Sequence, residues 1–228
     1  MSTKPLKTAF RDTIPVLTGY LFLGIGFGIL LAEKGYGIGW AFFMALFIFA
    51  GSAQYLAIDL LASQASLLST AAAILLVNAR HIFYGISMID TYKGAGLKKL
   101  YLIFGLTDET YSLVTQPRAE GNHRDYFLTV TLLNHIYWIC GCVLGNLLGA
   151  ALPISFDGIE FVLTALFVTM FTEQWMSTKD HRPAIIGVMS TALCLFIFGK
   201  SYFLLPSMAV ISGLLLAVRY MGKEDRYA

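Results

Sequence analysis

Residues 77–85 read VNARHIFYG, placing an arginine beside a histidine; STAAAILL (69–76) precedes them and the run continues as IFYGISMI (82–89). In a soluble protein this is an odd core. In a bilayer a charge inside an apolar run is costly, persists where it has a partner or a wet cavity, and so marks a candidate functional site.

The rest of the chain decides between the two settings. Of 228 residues 57% are hydrophobic and 13% charged, with 17 Phe, 12 Tyr and a mean hydropathy of +0.69, where soluble domains carry roughly 25% charged residues. The sequence therefore predicts an all-α, polytopic integral membrane bundle occupying residues 1–228 as a single domain. Each crossing needs roughly 20 apolar residues, so about six to eight membrane segments fit the length. A net charge of +2 with dispersed basic clusters argues against nucleic acid as a partner and leaves the lipid bilayer as the medium. Cys140, Cys142 and Cys194 lie in apolar runs and read as filler. No His or Cys pairs stand at metal-ligand spacing, so neither metal nor other cofactor is expected.

Apolar runs occur at 14–31, 39–58, 67–89, 100–115, 126–152, 158–176, 184–199 and 202–218. The first is too long for a signal-peptide core and reads as a retained span. Basic residues put the N-terminus, the 116–125 and 177–183 loops and the C-terminal tail on the cytoplasmic side. Lys93, Lys98 and Lys99 join that side only if a neighbouring run enters and returns. The 100–115 run, short and interrupted by Asp108 and Glu109, is the natural broken or re-entrant segment, and such breaks are where transporters build their sites. Gly24 and Gly28, and Gly141, Gly145 and Gly149, recur every four residues as smooth helix-packing faces.

Three clusters share a hydroxyl or small residue, then an acid or amide, then an aromatic: GSAQY (51–55), TDETY (107–111) and TEQW (172–175). They are expected to mark helix breaks. On a regular helix Asn78, His81 and Gly85 share one face and Arg80 and Tyr84 another, so one cavity serves both only if protein surrounds the helix or the backbone unwinds near Asn78.

FAGSAQ (49–54), NARHIFYG (78–85) and TDE (107–109), in this order, resemble the AzlC family, the large subunit of branched-chain amino acid exporters. The resemblance covers nearly the whole chain. It implies export of leucine, valine, isoleucine and similar apolar amino acids such as methionine across a bacterial inner membrane, together with a separate small AzlD-type membrane subunit. It supplies no ligand residues, so these are assigned on chemistry.

A zwitterion in a membrane needs partners for both charges. Arg80 can take a carboxylate bidentately, with Ser52, Gln54, Asn78 and Tyr84 as neutral neighbours. Asp108 or Glu109 can receive the ammonium or a proton, because two adjacent carboxylates in a poorly solvated site do not both ionise cheaply; Asp108, with the shorter side chain, is the stronger proton carrier. His81 is a further candidate in coupling. Thr107, Tyr111, Asn134, Glu173 and Gln174 are secondary site candidates. The plain alternative for Arg80 is an ion pair with Asp108, Asp59 or Glu173 that locks two helices. A passive small-solute channel, a structural or sensory membrane subunit, and an intramembrane hydrolase using Ser52 with His81 or His135 are the other classes. Without a nucleophile motif the last has least support, and no enzymatic activity is expected.

Overall fold

The computed structural model describes residues 3–115, 123–152 and 161–224, and every regular element among them is an α-helix. In chain order these are α1 (Thr3–Glu33), α2 (Ile38–Phe47), α3 (Gly51–Ala62), α4 (Leu67–Val77), α5 (Ala79–Ser87), α6 (Lys98–Phe104), α7 (Asp108–Val114), α8 (His123–Ala151), α9 (Phe161–Ser177), α10 (Arg182–Tyr202) and α11 (Leu204–Glu224). Within them Leu6–Glu33, Asp125–Ala151 and Arg182–Gly199 are long and apolar enough to cross a membrane, and α4 with α5 forms a further pair bent by 45°. Large apolar side chains such as Phe43, Phe47, Phe83, Ile86 and Phe196 lie exposed, as they must where hydrocarbon rather than water is the solvent. The contacts divide the chain into two compact units, Met1–Leu163 and Thr164–Ala228.

The first unit is organised on the pair α1 and α8. Lipid is as apolar as leucine, so helices in a membrane associate through close van der Waals contact rather than the hydrophobic effect, and small residues permit the closest approach. A Cβ on Gly28 would collide with the backbone at Cys142 and Asn146, and one on Gly145 with the backbone of Ile25. A Cβ on Gly24 would lie 2.9 Å from the Cys142 nitrogen, and one on Gly141 2.8 Å from the Tyr20 carbonyl. The four-residue glycine spacing thus does what the sequence predicts. Asn146 adds a tie, its amide donating to the Gly28 carbonyl at 3.2 Å and the Tyr36 carbonyl at 2.9 Å. Around this seam Phe27, Leu31, Ala41, Ala45, Tyr55 and Trp138 form one buried cluster; Tyr92, Leu102, Leu106, Phe127 and Val130 form a second.

Among the described residues of this unit the helical course is interrupted at three places between closely following helices. Between α2 and α3, Phe49 adopts φ 42° and Ala50 is extended. A left-handed phenylalanine is strained and persists where its surroundings hold it. Here its ring stacks on His135 at 4.2 Å between centroids. That imidazole faces the Ala45 carbonyl through Nε2 at 3.2 Å. Because a carbonyl only accepts, Nε2 carries the hydrogen, and Nδ1 accepts from the Tyr101 hydroxyl at 3.0 Å. Asn78, at φ −92° and ψ 2°, separates α4 from α5. Gly105 to Thr107 separate α6 from α7, with Gly105 pressed against the Thr131 methyl. GSAQY and TDETY therefore sit at helix starts after breaks, as expected. TEQW does not: it lies inside the continuous α9, whose residues flanking it, FVTMF and MS, carry no Gly, Pro, Asn or Asp.

In the second unit α10 and α11 pack on each other, Gly199 at φ 70° breaks the regular course of α10, and the Trp175 ring stacks on His181 at 4.1 Å.

Candidate functional site

The breaks bring chain segments far apart in sequence into contact. Unwinding at Asn78 turns α5 so that Arg80 and Tyr84, four residues apart on one helix face, both reach the first residue of α7. Arg80 Nη2 lies 2.9 Å from Asp108 Oδ2 and donates to Ser52 Oγ at 3.1 Å; the Tyr84 hydroxyl donates to Asp108 Oδ1 at 2.6 Å. Both carboxylate oxygens are thus engaged, from one side chain that is charged and one that is neutral. The pair remains reachable, with 28% of the arginine side chain and 23% of the aspartate side chain exposed. Tyr111 stacks on Tyr84 at 4.5 Å and extends the aromatic wall, and its hydroxyl accepts from Ser87 at 3.1 Å.

The site keeps unused polar capacity. Arg80 Nε and Asn78 Oδ1 are buried and have no hydrogen-bond partner among the described residues. His81, on the other face of α5, sets Nδ1 3.2 Å from the Asn78 carbonyl and meets the Tyr84 ring edge-on.

A second polar cluster lies beside the first. Thr107 caps α7 by accepting from the Thr110 backbone N–H at 3.3 Å, and its hydroxyl donates to Thr110 Oγ1 at 3.0 Å. Asn134 of α8, fully buried, donates to the same Thr110 oxygen at 3.0 Å. From α1, the Tyr20 hydroxyl is 2.7 Å from Thr107 Oγ1 and 2.7 Å from Glu109 Oε2. The TDETY segment therefore faces two ways, Asp108 toward α5 and Glu109 toward α1.

Of the substrate candidates the structure gathers Ser52, Arg80 and Tyr84 around Asp108, with Asn78 at the break beside them. Gln54 is turned away: it is fully buried and its Oε1 accepts from the Trp138 indole N–H at 2.7 Å. A two-residue step along α3 rotates Gln54 well away from Ser52, which explains the divergence. Thr107 and Asn134 join the Glu109 cluster and Tyr111 the Asp108 wall. The Glu173 and Gln174 side chains lie outside the described residues. Asp59 is exposed, in keeping with a solvated helix end. Ser52 is held by Arg80, while the two histidines address backbone carbonyls, an arrangement unlike a nucleophile and its base. Reading the sequence passed over Tyr20, Thr110 and Trp138; Thr110 lay inside a cluster already singled out, and Tyr20 was the one tyrosine in the first apolar run.

Helices broken at a shared polar site inside an apolar bundle define a class, the polytopic helical membrane proteins. The profile described as "AzlC protein" matches residues 15–152. The branched-chain amino acid transport protein AzlC of Bacillus subtilis (strain 168) is 41% identical over 215 residues, 93% of this chain and 85% of that protein. An uncharacterized membrane protein of Helicobacter pylori (strain ATCC 700392 / 26695) is 42% identical over 91% of this chain and 92% of its own length. The inner membrane protein YgaZ of Escherichia coli (strain K12) is 22% identical over 90% of this chain and 84% of its own. The chain belongs to the AzlC family. No solved structure matches it.

Proposed function

We propose that the chain is a secondary transporter that exports branched-chain and similar apolar amino acids across the bacterial inner membrane. It works as the large subunit of a complex with a small AzlD-type membrane protein, and about six to eight membrane segments, counting the broken ones, make up its bundle. The name of the Bacillus subtilis relative supports the substrate class.

The observation that carries the mechanism is the Arg80–Asp108 pair at 2.9 Å, held between two broken helices and partly exposed. Without substrate the two charges neutralise each other. A zwitterion entering between them gives its carboxylate to Arg80 and its ammonium to Asp108, so no unpaired charge is created as the pair opens. Arg80 has the capacity for this: Nε has no partner among the described residues, and Nε with Nη2 forms the edge that grips a carboxylate with two parallel bonds. Ser52 and Tyr84 then steady the separated partners. The substrate side chain needs only an apolar surface, which Tyr84 and Tyr111 provide. A net-neutral zwitterion gains no drive from the membrane potential. Export is therefore coupled to protons moving inward.

Release of preloaded radiolabelled leucine from liposomes holding the full chain, with and without the small subunit, tests this reading. Leucine release above protein-free liposomes, increased by the small subunit, is the expected result. Release no faster than from protein-free liposomes in both cases refutes it.

A further inference from the structure

The Glu109 cluster is a row of hydroxyls whose hydrogens can run in either direction. Tyr20 has a single hydroxyl hydrogen, yet its oxygen makes two contacts of 2.7 Å, to Thr107 Oγ1 and Glu109 Oε2. Such distances are those of O–H···O hydrogen bonds and each requires a hydrogen between the oxygens. With an ionised carboxylate Tyr20 donates to Glu109 Oε2 and Thr107, which can be the donor of the other contact, supplies the second hydrogen. If instead Tyr20 donates to Thr107, whose own hydrogen then goes to Thr110 Oγ1, the hydrogen of the other contact has to come from Glu109.

We infer that Glu109 is the proton-carrying carboxyl of the transporter and that Tyr20 is the positioning residue that reports its protonation to α7. In the loaded form the hydrogens run in one direction: Glu109 O–H to Tyr20, Tyr20 O–H to Thr107, Thr107 O–H to Thr110. When the Glu109 proton passes to water on the side where the site is open, the carboxylate can only accept. Tyr20 then turns its hydrogen to Glu109, and its contact with Thr107 is kept only if Thr107 turns its own hydrogen from Thr110 to Tyr20. Thr107 is the cap of α7, and the next residue is Asp108, the partner of Arg80. Proton loss at Glu109 thus loosens the helix end that holds the ion pair. This coupling rests on the transport reading above; the proton on Glu109 does not.

The surroundings support a neutral acid. Tyr20 is 4% exposed and its ring is fixed edge-on against Trp138 at 5.4 Å, so the hydroxyl has little freedom to find another partner. Among the described residues the ionisable groups on this side are Tyr20 from α1 and, within α7, Asp108, whose charge is already matched by Arg80 of α5 beside Tyr84 and His81. From α8 the polar group that joins the cluster is Asn134, which is uncharged. No cation among the described residues pairs with Glu109. Asp108, the stronger proton carrier on sequence grounds, is by contrast ion-paired.

Infrared spectra of the full chain in lipid at neutral pH, with hydrogen–deuterium exchange to mark acid groups, test the proposal. The wild type should show the carbonyl band of a protonated carboxyl that is lost in Glu109→Gln, kept in Asp108→Asn, and shifted in frequency in Tyr20→Phe. The side-chain amide introduced by Glu109→Gln retains an N–H to donate to Tyr20, so the fold survives that change. In liposomes given a pH step, Glu109→Gln should lose gradient-driven leucine accumulation. Absence of the band in the wild type, its survival in Glu109→Gln, an unshifted band in Tyr20→Phe, or undiminished accumulation by Glu109→Gln overturns the proposal. If the wild type moves no leucine, the amino-acid reading fails while the band still decides where the proton resides.

Discussion

Arg80 and Asp108, 28 positions apart in sequence, face each other at 2.9 Å because the helix carrying each is broken next to it. The guanidinium belongs to the first turn of α5 and the carboxylate opens α7. Removing one partner should strand the other. Arg80→Met should cost roughly 1–3 kcal/mol, between the worth of an exposed pair and a buried one. Arg80→Met with Asp108→Asn should recover most of that loss. Thermal unfolding of the purified variants in detergent measures both. An equal loss in the single and double variants would mean that the pair contributes nothing to stability.

Arg80→Lys keeps the charge and loses the planar fork. It should accumulate near wild-type levels and lose most leucine flux. A lysine variant that exports normally would show that two parallel bonds to the carboxylate are not needed.

The glycine seam makes a prediction about packing alone. Gly28→Ala and Gly145→Ala drive a methyl group into the facing backbone, and overpacking of this kind costs about 1–3 kcal/mol, occasionally more. Gly187→Ala, with open space around it, serves as the control. The folded yield of all three variants by size-exclusion fluorescence should separate the first two from the third.

Trp138 and Gln54 form a buried pair whose members depend on each other. Trp138→Phe leaves the Gln54 carbonyl without its donor, at a cost of about 1–3 kcal/mol. Adding Gln54→Leu, which removes the stranded group, should restore part of it. If the second change only adds to the first, the hydrogen bond is not what holds Gln54 there.

Loop charge makes the topological prediction. In a background lacking Cys140, Cys142 and Cys194, cysteines replacing Lys93 or Lys98 should be protected from an impermeant thiol reagent applied outside. Protection is the consequence of α6 and α7 entering and returning. Labelling from outside would show instead that this broken pair crosses the membrane.

Much of this arrangement was legible in the residues. The helical class follows from composition, the glycine seam from its spacing, and the breaks before GSAQY and TDETY from polar residues lodged in apolar runs. The opening arginine announced a partner, and Asp108 was among the three acids weighed. What the sequence could not rank was which acid: the choice depends on the turn at Asn78 and the order in which α5 and α7 pack, a matter of tertiary geometry. Tyr20 was invisible for a similar reason. A tyrosine in an apolar run looks like any aromatic until α1 is laid against α8 and its hydroxyl arrives between Thr107 and Glu109. TEQW misled because a local resemblance of residue types carries no turn chemistry by itself.

In the proposed mechanism the Arg80–Asp108 pair opens to admit a zwitterion. Competition against radiolabelled leucine flux tests it most directly, using three unlabelled compounds of nearly equal shape: leucine, leucinamide, which lacks the carboxylate, and 4-methylpentanoate, which lacks the ammonium. Only leucine should compete, because each analogue leaves one member of the opened pair without a counter-charge. If either analogue competes as well as leucine does, the site does not read both charges and the mechanism proposed for Arg80 and Asp108 is wrong.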